Sequence, residues 1–143
     1  KTKILALKAG NNNLEEAFPS GSLAIQTSLD PFLTKADSLS GCVVGLQNSL
    51  PEITYKIIAR VSLFKELVGT KEKEATKIEP IKLNEYLMLS INTATTIGTV
   101  TKIKGNEVEL TLKIPIVPFK GERIGIARNY QGHWRLIGWG ELL

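Results

Sequence analysis

The chain has 143 residues, 43% hydrophobic and 22% charged, with a formal net charge of +4. This composition suits one domain or two small ones and excludes wholesale disorder. No apolar run approaches the roughly 20 residues of a membrane span, and one cysteine (Cys42) with one histidine (His133) excludes both an internal disulfide and a His/Cys zinc cluster.

In chain order, Thr2–Leu7 reads as a strand, followed by a turn at Gly10-Asn11-Asn12-Asn13. Leu14–Ala17 could form one helical turn. A turn at Pro19-Ser20-Gly21 leads to a strand over Ser22–Ser28, and Asp30-Pro31 turns the chain again. Cys42 precedes Val43-Val44 on an expected strand, where it reads as a small buried hydrophobe. Pro51 cannot donate to a strand ladder and marks a boundary. The charge balance shifts there too. Residues 1–50 set four lysines against four acids, and residues 51–143 carry the whole basic excess. That excess suits RNA contact or a solvated mixed-charge surface.

Beyond the boundary, Ile53, Tyr55, Ile57, Ala59, Val61 and Leu63 alternate with mostly polar residues, the pattern of a long strand with one buried face. Phe64–Val68 could make one helical turn, and the charged run Gly69–Lys77 reads as an exposed loop. Tyr86–Asn92 follows as a strand. Ile97–Ile103 and Val108–Ile114 flank Lys104-Gly105-Asn106 and predict a tight hairpin. Arg123–Arg128 and Trp134–Gly140 are the last expected strands. The expected core of residues 51–143 contains Ile57, Val61, Leu87, Leu89, Leu110, Leu112, Ile126, Trp134 and Leu136. Arg135, Ile137 and Trp139 are placed on the opposite face, where Trp139 with Arg135 would pack on a neighbouring domain or stack on a base.

The fold class is all-β. About six strands after Pro51 make a closed antiparallel barrel, and about three before it resemble an incomplete one with open edges. With Lys1 in place of Met, residues 1–50 read as the end of a barrel whose beginning is missing.

Catalytic chemistry is hard to find. There is no G-x-x-x-x-G-K-[ST] phosphate loop and no G-x-G-x-x-G. Thr34-Lys35-Ala36-Asp37 matches the short guanine-reading motif of GTPases, but a surface turn is the simpler reading. Glu15-Glu16 reads as a loop pair. A nucleophilic triad would depend on the single His133.

Several strings make the chain recognisable. Leu29-Asp30-Pro31-Phe32-Leu33-Thr34-Lys35-Ala36-Asp37, Gly41-Cys42-Val43-Val44-Gly45, Lys77-Ile78-Glu79-Pro80, Thr93-Ala94-Thr95-Thr96-Ile97-Gly98 and Trp134–Gly140 resemble the gamma subunit of archaeal and eukaryotic translation initiation factor 2, in its archaeal form. That family is related to elongation factor Tu, a GTPase domain followed by two β-barrels. The resemblance implies that residues 1–50 end the second domain and 51–143 form the third. It implies a cytoplasmic, noncatalytic portion of a carrier of methionylated initiator tRNA. GTP and magnesium would be held by a GTPase domain outside this chain. The implied partners are initiator tRNA, the alpha and beta subunits and the small ribosomal subunit, with no membrane. Leu5, Leu7, Lys8, Pro19 and Gly21 would lie nearest the tRNA acceptor end, and Arg135 and Trp139 would meet a neighbouring domain. Ser20 and Gln26 stand where the family has glycine. Two other readings are a barrel module for subunit assembly and a selenocysteine-specific factor of the elongation-factor class.

Overall fold

A computed structural model describes residues 1–18, 21–67 and 77–143. The backbone divides into two compact units, Lys1–Leu39 and Ser40–Leu143. The sequence places the boundary at Pro51, whereas the structure gathers residues 40–50 with the later unit.

The first unit is a three-stranded antiparallel sheet. Its strands β1 (Ile4–Ala9), β2 (Asn12–Leu14) and β3 (Ala24–Thr27) lie in the order β2-β1-β3. The expected turn over Gly10–Asn13 is tighter than its composition suggests. Only Gly10 and Asn11 turn, and Asn12 and Asn13 pair with Ala9 and Lys8. Leu14 ends β2, so no helical turn forms at Leu14–Ala17. Beyond β3, Pro31–Thr34 make a 3-10 turn capped by Asp30, whose side chain accepts from the Phe32 N–H at 2.9 Å. Thr34–Asp37 leave this turn as an exposed bend, with Ala36 and Asp37 at positive φ.

The second unit is a closed barrel of six antiparallel strands: β4 (Thr54–Leu63), β5 (Tyr86–Ile91), β6 (Ala94–Lys104), β7 (Glu107–Ile116), β8 (Arg123–Tyr130) and β9 (His133–Leu142). They close in the order β4-β7-β6-β5-β8-β9. Three two-residue turns join neighbours, at Asn92-Thr93, Gly105-Asn106 and Gln131-Gly132. Each opens with a residue at positive φ, the geometry that matches strand twist in tight hairpins. Ile57, Leu87, Leu89, Val100, Leu110, Ile124, Ile126 and Ile137 fill the barrel. Gly98 belongs to that interior because a Cβ there would lie 2.9 Å from Leu89 Cδ1 and 3.0 Å from a Leu110 methyl. Thr96 is the buried polar residue among those described. Its hydroxyl accepts from the Ile114 N–H at 2.9 Å and donates to the Ile114 carbonyl at 3.0 Å, standing in for a strand partner.

Three expectations about faces fail, each for a local reason. Trp134 and Leu136 are 38% and 48% exposed. Ile126 faces Gly138 while Ala127 faces Leu136, so Ile137 is an extra residue in β9. This bulge shifts the alternation by one, and Ile137 enters the core instead. At the start of β4 a register shift between Thr54 and Lys56 leaves Ile53 and Tyr55 exposed. Cys42 lies outside any strand and is exposed. The described part of Phe64–Val68 holds no helical turn, and Glu66 instead bridges to Lys77. The loop expected over Gly69–Lys77 falls outside the described residues except for Lys77.

Candidate functional site

In the first unit, β1 carries three of the residues that the family resemblance assigns to the acceptor end. Leu7 sits in register between Leu14 on β2 and Ile25 on β3, and Lys8 between Asn13 and Ala24. Consecutive strand residues point to opposite faces, so the structure does not bring Leu7 and Lys8 together. Leu5 lies at a register irregularity between Ile4 and Ala6 and is exposed. Gly21 has φ 63° with open space around its Cα. Any side chain there would be strained by backbone conformation rather than by a neighbour. Pro19 lies outside the described residues.

A cleft of about 490 Å³ on the barrel is lined by Lys77, Glu79, Lys82, Glu85, Arg128 and Tyr130, among others. Its chemistry is internal. Arg128 forms a two-pronged ion pair with Glu85, through Nε to Oε1 and through Nη2 to Oε2 at 3.1 Å. Its remaining N–H groups reach the carbonyls of Glu79 at 2.8 Å and Pro80 at 3.2 Å and the Tyr130 hydroxyl at 3.4 Å. Burial opposes the charge, but the Glu85 and Tyr130 hydrogen bonds outweigh it and raise the guanidinium pKa. All five donors are engaged, so Arg128 is a clamp that fastens the segment before β5 onto β8 rather than an anion receptor. Lys82 donates to Glu79 at 2.6 Å, and this hydrogen bond, with the added charge attraction, holds the Glu79 carboxyl below its ordinary range. In the sequence Arg128 is only the last residue of an expected strand. The clamp was not legible there, because Glu85 and Arg128 are 43 residues apart in the chain.

Charged partners also cross the outer surface at one end of the barrel. Lys104 faces Glu107, Glu107 faces Arg60, Arg60 faces Glu141, and Glu141 faces Arg123. This alternating ladder spans β6, β7, β4, β9 and β8, and its Arg60–Glu107 rung measures 3.7 Å. The Arg123 guanidinium carbon also lies 5.3 Å from the centre of the Trp139 ring, within cation–π range.

Trp139 is 39% exposed on the outer face, as expected, but Arg135 does not share that face. The bulge at Ile137 puts Arg135 in phase with the inward Ile137 and in register with Arg128 on β8. Arg123 is therefore the cation beside Trp139, and only pairing register reveals it. Gly138 does permit close approach, but of the chain's own β4. A Cβ there would lie 2.3 Å from the Ser62 carbonyl oxygen. Across the outer surface, Ile97, Met88, Ala127 and Leu136 are successive registered partners on β6, β5, β8 and β9. They form an apolar row with Trp134 and Trp139 on either side of Leu136.

Among the described residues no three His, Cys, Asp or Glu side chains gather to hold a metal, and no helix is long and apolar enough to cross a membrane. Residues 55–142 match the family model described as "Initiation factor eIF2 gamma, C terminal". Over 141 residues, 99% of this chain, the sequence is 48% identical to the translation initiation factor 2 subunit gamma of Methanocaldococcus jannaschii. It is 44% identical over 139 residues to that of Thermococcus onnurineus. The chain spans about a third of the length of these relatives, 34% and 33%. The solved structure of a bacterial selenocysteine-specific elongation factor superposes with a TM-score of 0.67 at 12% identity, covering 99% of this chain and 20% of that one. That likeness concerns the fold alone. The extent and level of sequence identity place the chain in the translation initiation factor 2 gamma family, with residues 55–142 as that family's C-terminal domain.

Proposed function

We propose that the chain is a noncatalytic portion of a gamma subunit that helps the GTP-dependent factor deliver methionylated initiator tRNA to the small ribosomal subunit in the cytoplasm. The observation that carries this reading is the 48% identity over 99% of the chain to a named gamma subunit. GTP and magnesium binding are assigned to the rest of such a subunit, since the sequence has no phosphate loop. Leu5, Leu7, Lys8, Pro19 and Gly21 are proposed to line the approach of the tRNA acceptor end. With Leu7 and Lys8 on opposite faces of β1, only one of them meets the terminal adenosine directly. Lys8 is the one suited to a phosphate.

Gly21→Val tests the site in the complete factor. It should weaken initiator tRNA binding by about tenfold or more, given roughly 1–2 kcal/mol of left-handed backbone strain, while GTP affinity stays the same. Equal loss of both would mean misfolding and would remove Gly21 from the site.

The second reading is a β-barrel interaction module used for subunit assembly without direct RNA binding. The exposed apolar side chains Trp134, Leu136 and Trp139 favour this role for the barrel. Trp139 is proposed to contact a neighbouring domain or partner. Arg135, turned the other way, would support that contact only through β9. Pull-down with the alpha subunit beside a tRNA shift assay separates the readings.

A further inference from the structure

Two sets of cations stand out on the barrel. In one, the neutralised set, each cation faces a carboxylate in register or bonds one: Lys104, Arg60 and Arg123 alternate with Glu107 and Glu141, Lys102 faces Glu109, Lys82 holds Glu79 and Arg128 holds Glu85. The second set lies around the waist of the barrel. Lys56 on β4 faces Thr111 on β7, Thr111 faces Thr99 on β6, and Thr99 faces Tyr86 on β5. Their strand neighbours Ile57, Leu110, Leu112, Gly98, Val100 and Leu87 are buried inside, so all four side chains of the row point outward. Lys113, one position past inward Leu112, joins them. Neither lysine makes an ion pair among the described residues. The hydroxyls of Thr99 and Thr111 have no side-chain hydrogen bond there either, unlike Thr96 and Thr101. Tyr86 is 66% exposed.

We propose that this Lys56–Thr111–Thr99–Tyr86 row, with Lys113, is a docking surface for the sugar–phosphate backbone of double-helical RNA. Two cations without internal partners attract phosphates, and free hydroxyls can bond phosphate oxygens or 2′-hydroxyls. Adjacent strands are about 4.8 Å apart, so the row runs roughly 14 Å along an open strand face. Single-stranded RNA calls for a groove with several stacking rings, and this row offers one tyrosine and no groove. The surface lies on the barrel and is separate from the acceptor-end residues of β1. It rests on the reading that the chain works beside RNA.

The test uses the whole chain and an end-labelled RNA duplex of about 16 base pairs, with binding followed by fluorescence anisotropy from about 50 to 200 mM KCl. Lys56→Gln with Lys113→Gln should weaken binding roughly tenfold at the low-salt end and flatten the log–log salt slope by about 1.5–2. Lys102→Gln with Lys104→Gln removes equal charge from the neutralised set and should weaken binding less than threefold. Far-UV circular dichroism and melting identify any variant that has lost its fold, and Lys56→Thr with Lys113→Thr, which keep strand preference, then replace the first pair. If the first pair binds like the parent chain, or the two pairs lose equally, the row is not the RNA surface, although the RNA reading stands. If the parent chain binds no RNA at low salt, both fail. If a poly-glutamate peptide competes as well as the duplex, the row is a docking site for acidic protein and the RNA assignment falls.

Discussion

Arg128 shows what one side chain can organise. It takes two carboxylate oxygens, two carbonyls and a phenol at once, and thereby fixes Glu79, Pro80 and Glu85 against β8. Lysine would keep the charge but lose the planar fork. Arg128→Lys should therefore cost about 2–3 kcal/mol, from hydrogen bonds to a largely shielded carboxylate and two orphaned carbonyls. Urea denaturation of the chain measures it. A loss below half a kcal/mol would mean the segment is held by packing alone. Gly21 is the opposite case, a residue whose role lies in its own backbone angle and whose surroundings are open.

Among the elements, β9 carries the main lesson about reading a sequence. Alternation over Glu107–Leu112 is regular, and the β6–β7 hairpin at Gly105-Asn106 follows from it directly. The six-strand count and the closed barrel were legible for the same reason. In β9 the pattern His-Trp-Arg-Leu-Ile-Gly-Trp-Gly admits two phases, and period two cannot reveal that Ile137 is supernumerary. The one available signal was Gly138, since a glycine within a strand often marks a bulge or a close backbone approach. Gly138→Ala should destabilise the barrel by about 1–3 kcal/mol or more, because the Ser62 carbonyl is backbone and cannot swing aside. Calorimetric melting of the chain is the measurement, with Gly125→Ala, where the nearest atom would be 3.6 Å away, as the mild comparison. Trp139→Ala should behave differently. Losing a half-exposed ring and its Arg123 contact should cost the barrel about 1 kcal/mol or less, while the activity of the complete factor falls. A drop of many degrees in the chain's own melting point would make Trp139 a core residue after all.

At the scale of the whole molecule, the closed barrel has no edge strands, whereas the sheet of the first unit leaves β2 and β3 without a further strand on their outer sides among the described residues. The charge ladder belongs to this scale because it crosses five strands. Arg60 stands between Glu107 and Glu141, so Arg60→Glu would place three carboxylates in one row. A cost of about 1–2 kcal/mol is expected at low salt. More than half should be recovered near 0.5 M salt, where screening is strong. Denaturation at both ionic strengths checks this, and a salt-independent loss would point to packing instead.

The ladder also answers a question that burial cannot. Sliding a strand by one residue turns its apolar side outward and is rejected at once. Sliding it by two keeps every inward residue inward, so alternation alone does not reject the wrong alignment. The charges disfavour it, since β9 displaced by two would set Glu141 against Ser62 or Trp139 against Arg60. In a ring the offsets of all neighbours must sum to a fixed stagger, so one mismatched pair would have to be compensated elsewhere around the barrel. The row of alternating signs thus adds a preference for one alignment that inward and outward alternation alone does not supply.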